Sequence, residues 1–392
     1  MILLNPGPVN VSERVRRALL GPDLCHRESD FTDLMQGIRD KLVRAFAPNR
    51  ADDYVALILT GSGTAAVEAM VSSSVASGHT LLLIQNGVYA QRLAVMAAAH
   101  AIPTAELASE GDRRFDIEQV GVALRQNPAI QAVAVVHHET STGMLNPLKD
   151  LGVIAGQAGR YLIVDGVSSL AGEEIDLHAC NIGIVAGSSG KCIQGFPGLG
   201  FVLVRRDLME AMASYERRSV YLHLPTYYQA QEGGSIPFTP AVQLYYAFDE
   251  ALSELLEEGV ANRITRYRTL ARIIREGMHT TGMEFYLREP LWSSTLTALY
   301  VPEGVHYAHL HDRLRERGYV IYAGQARLAQ RIFRVANMGV LTEADMKGFV
   351  TAFEAVLPEA RKLGAERAPE ARRPLSLTLP LEGGGEGGGG AS

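Results

Sequence analysis

The sequence predicts an α/β protein built on a largely parallel sheet, and three observations carry that reading. Short apolar runs alternate with segments of helical spacing between residues 55 and 204, as in sheets buried on both faces and joined by crossover helices. Each run ends in small or polar residues, at 61–64, 86–89, 137–142, 165–168 and 188–191. Parallel sheets bind their ligands there, at the carboxyl ends of the strands. Beyond Ala251 the alternation gives way to a long charged amphipathic stretch, which predicts a second, smaller α+β lobe.

Taken in order, the turn-rich opening NPGPVNVS cannot start a helix, and helical spacing begins at Val11 with Ser12 as its cap. From Phe31 to Phe46 the apolar residues Leu34, Ile38, Leu42 and Val43 recur at helical intervals, and Pro48 ends the run. A strand follows at 55–60, then GSG, then a helix of small residues over 64–74. A strand at 81–85 leads into a helix at 89–99, and strands at 132–136 and 161–165 bracket a helix at 148–159. Strands at 182–186 and 200–204 flank a loop carrying Lys191. The later part reads as one helix over 252–279, strand-like pieces at 295–301, 319–322 and 332–335, and a helix over 342–363. This divides the chain into a large domain with an N-terminal arm (1–251), a small C-terminal domain (252–365) and a tail (366–392). The tail is rich in Pro, Arg and Gly and ends GGGEGGGGAS, so it reads as disordered or as a linker.

Composition excludes several roles. The 392 residues are 47% hydrophobic and 20% charged with a net charge of −6, which leaves no electrostatic footprint for nucleic acid or an anionic membrane. No apolar run approaches the ~20 residues that cross a bilayer, and the N-terminus is not a secretory signal. Cys25, Cys180 and Cys192 form neither a disulfide framework nor zinc spacing. No His, Cys, Asp and Glu cluster has metal-ligand spacing. A reducing, cytoplasmic setting is expected.

Certain residues then carry chemistry. Lys191 lies between two apolar runs, and desolvating an ammonium is costly. A lysine so placed is a candidate amine nucleophile for an aldehyde, against the plain alternative of a surface loop residue. GSGTAA, Gly61 to Ala66, follows a strand and opens a helix, so its N–H groups and dipole suit a phosphate. A nicotinamide dinucleotide would need an acid at the end of the next strand, which here reads Gln85-Asn86. Asp165, ending YLIVD, suits the cationic nitrogen of a ring cofactor or a helix N-cap. Tyr89 suits an aromatic ring or the core. Arg334, inside an apolar strand, reads either as an outward charge or as a bidentate clamp for a carboxylate, with Arg27 in CHRESDF as a second anion contact. In HHETSTG the histidines His137 and His138 read as ordinary core or loop residues, and the hydroxyls are available to a ligand.

A phosphate cradle, a ring stacker, a carboxylate, a lysine and an arginine clamp together describe a pyridoxal 5'-phosphate site. On the motifs LNPGPVN, TGSGTAAVEA, NGVYAQR, HHETSTG, VDGVSS, GSSGKCIQGFPGLGFV and FRVANMG, the chain resembles the class V aminotransferases of fold type I, from Leu3 to about Leu357. The resemblance implies that Lys191 carries the cofactor and shuttles the proton, that Asp165 meets the pyridine nitrogen, and that Tyr89 stacks on the ring. It further implies that Ser62, Gly63 and Thr64 hold the phosphate with Thr142 and Ser188 or Ser189 nearby. Thr239 would reach the site of a neighbouring subunit in a homodimer, and Arg334 would hold the substrate carboxylate. A cysteine-dependent lyase of this fold is disfavoured, because the last cysteine, Cys192, is beside the lysine. The partners implied are an amine donor and a 2-oxo acid. KCIQG followed by PG points to 2-aminoethylphosphonate and pyruvate, whereas the HRxxxF shape of CHRESDF is nearer the alanine– and serine–glyoxylate enzymes, which stand as the alternative.

Overall fold

The computed structural model describes residues 1–366. Apart from Glu366, which ends a helix, the tail expected at 366–392 lies outside the described residues. Seven strands form the main sheet: β1 (Tyr54–Thr60), β2 (Thr80–Gln85), β3 (Thr104–Ala108), β4 (Ile130–Val136), β5 (Tyr161–Asp165), β6 (Ile182–Ser188) and β7 (Leu199–Arg205). Their spatial order is β1-β7-β6-β5-β4-β2-β3. Only β7 runs against its neighbours, pairing antiparallel with β1 and β6, while the other pairs are parallel.

Successive residues of the central strands feed opposite layers, as the two-residue period of a strand requires. Val133 and Val135 join one apolar layer with Phe31, Met35, Ile38 and Leu42 of the Ser29–Phe46 helix. Ala132, Ala134 and Val136 join the other, with Ala66, Val67 and Met70 of the Gly63–Ser73 helix and Leu93 of the Val88–Ala99 helix. Both faces are therefore covered, and polar groups collect at the carboxyl edge. The helix start expected at Ser12 is present: its hydroxyl accepts from the Val15 N–H at 3.1 Å.

Two differences from the sequence reading have physical causes. The stretch 252–279, read as one helix, belongs to two, Val242–Glu258 and Val260–Thr280. They part at Gly259, whose φ of +83° is a left-handed conformation that ends a helix and favours glycine. The division expected after residue 251 thus falls inside the first of these helices. Residues 319–322, read as one strand, serve two sheets. Tyr319–Val320 pairs in parallel with Ile2–Leu3 of the N-terminal arm, and Tyr322–Ala323 pairs with Ile332–Ala336, which also pairs with Leu296–Tyr300. Strand β3, TAELA, was missed because its side chains are exposed or half-exposed at the sheet edge and carry little apolar signal. Helices Ile117–Gln126, Leu224–Glu232 and Tyr307–Glu316 were missed as well; they bury only two or three residues each. Among the described residues no helix is long and apolar enough to cross a membrane.

Candidate active site

A cavity of about 280 Å³ opens at the carboxyl edge of the sheet, and its walls come from the loops after β1, β2, β4, β5 and β6. The loop after β1 supplies Ser62, Gly63 and Thr64; the others supply Tyr89 and Arg92, His138 and Thr140, Asp165, and Ser188 and Lys191. The N-terminal arm closes one side with Gly7 and Pro8.

Each group is placed by its local backbone. Ser62 is the N-cap of the Gly63–Ser73 helix, yet its side chain makes no capping hydrogen bond. The helix start thus presents N–H groups and a free hydroxyl to the cavity, an anion site by construction. Gly63 permits this: a Cβ there would lie 2.9 Å from Val167 Cγ1 and 3.0 Å from Ser188 Cβ. Arg92, one turn into the Val88–Ala99 helix, donates to Thr64 Oγ1 at 3.3 Å and lies over the Tyr89 ring at 4.8 Å.

Asp165 ends β5 as a buried carboxylate. Its Oδ1 accepts from the Val167 N–H at 3.0 Å, and no ion pair among the described residues neutralises it. Burial raises its pKa to about 6, against the opposing pull of that N–H and of Lys191. No helix follows Asp165, so it is not the helix N-cap that its residue type allowed; its carboxylate closes a turn instead.

Lys191 sits in the tight turn after β6. A Cβ at Gly190 would meet Pro197 N at 2.8 Å, so glycine lets the turn lie flat on the following segment. Beyond the lysine the turn is pinned from behind: Arg263 Nη1 donates to the Cys192 and Ile193 carbonyls at 3.1 and 3.3 Å, and the Tyr267 hydroxyl donates to Cys192 at 3.1 Å. Lys191 Nζ donates to the Pro6 carbonyl of the arm. Gly7 makes room for that contact, since its φ is +115° and a Cβ would come within 2.8 Å of Nζ. Burial pushes the lysine pKa below its ordinary value and the Arg334 charge adds to this, while Tyr89 and Asp165 oppose it.

Of the residues singled out from the sequence, Ser62, Gly63, Thr64, Tyr89, Asp165, Ser188 and Lys191 line this cavity together. Thr142 lies behind it, its Oγ1 donating to Glu139 O at 3.3 Å. Ser189 turns its hydroxyl to the Phe196 and Leu199 carbonyls, at 2.6 and 3.0 Å. Thr239 and Arg27 are exposed and stand off the cavity wall. Arg334 is fully buried: Nε and Nη2 donate to Ala323 O at 3.0 and 2.7 Å, and Nη1 donates to Thr140 O at 2.7 Å. Its guanidinium lies 5.2 Å over the Tyr322 ring.

Sequence reasoning missed Arg92, His138 and Thr140 on the wall, and Glu139 behind it. Arg92 was legible, because it lies one helical turn from Tyr89 in NGVYAQR. His138 Nδ1 faces the Ser168 carbonyl at 3.2 Å, its Nε2 has no hydrogen-bond partner among the described residues, and burial lowers its pKa to about 4, so it is neutral. Among the described residues no cluster of His, Cys, Asp or Glu is built for a metal.

The sequence matches the class V aminotransferase family over residues 16–344. It is 38% identical over 356 residues to the 2-aminoethylphosphonate–pyruvate transaminase of Syntrophobacter fumaroxidans, covering 90% of this chain and 95% of that one. The fold superposes on a subgroup IV aspartate aminotransferase from Thermus thermophilus with a TM-score of 0.84 at 29% identity, covering 92% of this chain and 100% of the other. An alanine–glyoxylate aminotransferase from Nostoc sp. gives a TM-score of 0.83 at 28% identity, covering 91% and 95%.

Proposed function

The chain belongs to the class V aminotransferase family, and from that premise we propose that it moves the amino group of 2-aminoethylphosphonate to pyruvate, giving phosphonoacetaldehyde and alanine. The reaction class is carried by one observation: a half-buried lysine and a buried carboxylate, with no ion-pair partner among the described residues, share one cavity with a helix N-terminus. The choice of donor is supported by the relative at 38% identity that bears that activity's name. The Nostoc alanine–glyoxylate enzyme, at 28%, favours the alternative of alanine or serine with glyoxylate less.

Pyridoxal 5'-phosphate is the cofactor, and the residues present fit it. The helix start at Ser62, Gly63 and Thr64 suits a phosphate, in a cradle that a side chain at residue 63 would fill. Asp165 offers a carboxylate without a cation, and Tyr89 offers an aromatic wall. When bound, the group supplies a carbonyl carbon that takes up an amine and a ring that disperses electron density.

The chain's own residues do the rest. Lys191, its pKa lowered by burial, has access to the neutral amine and can take and return the proton of the substrate carbon. Asp165 holds the proton of the ring nitrogen by charge, which burial strengthens. Ser188 lies at the end of β6 beside the phosphate cradle. The Nη groups of Arg334 have hydrogens beyond those given to Thr140 and Ala323, and these hold the carboxylate of the oxo acid in a charge-assisted pair. The Pro6–Pro8 arm covers one side of the lysine and restricts the access of water to it. Thr142 and Ser189 support the two turns that line the site. Arg27, at the surface, is a secondary anion contact, and Thr239, exposed on this protomer, reaches the site of a second copy in a homodimer. Three free cysteines, one exposed, suit a cytoplasmic setting.

A single-turnover experiment tests the reading. Mixed separately with 2-aminoethylphosphonate, L-alanine and L-serine, the holoenzyme should lose the visible absorbance of its cofactor fastest with the phosphonate. Fast loss with alanine or serine alone would move the donor to the glyoxylate group.

A further inference from the structure

Glu139 is completely buried, and the mechanism above gives it no part. It lies just past β4 in the short hairpin of His138–Glu139 and Met144–Leu145. Both carboxylate oxygens are occupied. Oε2 accepts from the Tyr89 and Ala90 N–H groups at 3.0 and 3.2 Å, and Oε1 accepts from the Ser141 N–H at 3.1 Å and the Ser141 hydroxyl at 2.5 Å. No cation among the described residues pairs with it.

These donors belong to two walls of the cavity. Tyr89 and Ala90 are in the first turn of the Val88–Ala99 helix, whose N-cap, Gly87, has no side chain to satisfy it. Glu139 takes the place of that cap from another loop, where a negative charge is favoured by the helix dipole. Gly87 is what admits it: a Cβ at this position would lie 2.2 Å from Glu139 Cγ. On its other side Glu139 fixes the turn whose Thr140 lines the cavity and accepts from Arg334. A buried carboxylate is costly, and burial raises its pKa while the hydrogen bonds oppose this. An apolar residue would fill the space at less expense, but it would not tie the two walls together.

We propose that Glu139 is a positioning residue for the transamination, holding Tyr89 against the cofactor ring by anchoring the first turn of its helix to the Thr140–Ser141 turn. The inference rests on the reading of Tyr89 as the ring-stacking residue. Replacing the acid by its amide turns an –NH2 group toward N–H donors, so Glu139→Gln breaks the link with little change of volume.

The test is a double-mutant cycle of Glu139→Gln and Tyr89→Ala, read by the affinity of the apoprotein for pyridoxal phosphate and by the visible circular dichroism of the bound cofactor. Each single variant should weaken the cofactor about tenfold, the scale of one charged hydrogen bond, and alter the dichroism. The double variant should be no worse than Tyr89→Ala alone. Additive losses, or wild-type affinity and dichroism in Glu139→Gln, overturn the proposal. An unchanged Tyr89→Ala overturns it too, and marks the stacking reading itself as the error. If Glu139→Gln does not fold, Glu139→Asp carries the decision: it keeps the charge but shortens the reach, and wild-type affinity and dichroism there also overturn the proposal.

Discussion

Arg263 and Arg334 are the largest fully buried side chains among the described residues, and their surroundings differ in one respect. Arg263 is neutralised by Glu258, with Nε 2.5 Å from Oε2, and spends its remaining donors on the carbonyls behind Lys191. Arg334 has no acid within ion-pair distance among the described residues, the charge of Glu139 acting on it only from farther off; two backbone carbonyls fix its plane. A buried charge that is paired is structural, and breaking the pair leaves an uncompensated ion. A buried charge left unpaired is costly to the free protein and is repaid when a ligand of opposite sign arrives. Asp165 stands with Arg334 in this respect, and the half-buried Lys191 likewise has no ion-pair partner among the described residues. The comparison makes a rule that can be broken: removing an unpaired group should cost chemistry, and removing the partner of a paired one should cost stability.

The largest effect is expected at Lys191. Lys191→Ala should lower turnover by roughly 10³-fold or more, the span of acid–base and amine catalysis together. It should also abolish the visible absorbance of bound cofactor without lowering the melting temperature of the apoprotein. Absorbance that survives, and that borohydride traps at another lysine, would sink the assignment.

On the paired side, Glu258→Ala leaves Arg263 buried with no acid and removes the 2.8 Å partner of Arg266. A stability loss of about 3 kcal/mol is expected in urea unfolding, with turnover per folded molecule close to wild type. If turnover fell in step with stability, the division between structural and functional charges would fail.

Asp165→Asn should separate the two properties in one residue. The folded pKa of about 6 lies above the carboxyl's ordinary value of 3.8, so the charged form is disfavoured by folding. The penalty is absent below pH about 4, grows between the two values and is complete above pH about 6, where it amounts to about 3 kcal/mol. The asparagine variant of the apoprotein should therefore be more stable than wild type by about that amount at pH 8, and by nothing at pH 4, while its turnover is severely reduced. Full activity in that variant would leave Asp165 only as the cap of its turn.

The alternation of apolar runs carried the sheet, and the residues following each run carried most of the cavity, because parallel topology alone brings strand ends together. Positions 62–64, 89, 165, 188 and 191 were legible for that reason. Other features were not, because they depend on tertiary contacts with no local signal. The pairing of Ile2–Leu3 with Tyr319–Val320, beside which Pro6 meets Lys191, joins the N-terminal arm to residues more than three hundred positions later. Glu139 was passed over inside HHETSTG because its partners Tyr89 and Ala90 lie about fifty residues away. Ser189 and Thr142 were expected near the phosphate from the family resemblance alone; here their hydroxyls turn to main-chain carbonyls, a direction that no local sequence signal sets.

The smallest effect, and the one that tests the comparison most directly, belongs to Arg334. Arg334→Ala should weaken the oxo acid by roughly 1.5–3 kcal/mol, the worth of a hydrogen bond to a charged group, seen as a rise in KM for pyruvate. Loss of a merely structural arginine could disturb the site as well, so a second observable is needed. If the guanidinium awaits an anion, pyruvate should raise the melting temperature of the wild-type apoprotein through binding to the folded state, and the alanine variant should lose that rise. Arg334→Lys restores the charge without the planar fork, so it should recover part of the stabilisation and little of the KM. An unchanged KM, or a pyruvate-induced rise that survives in Arg334→Ala, would place Arg334 with Arg263 among the structural charges and return the clamp to an exposed candidate such as Arg27.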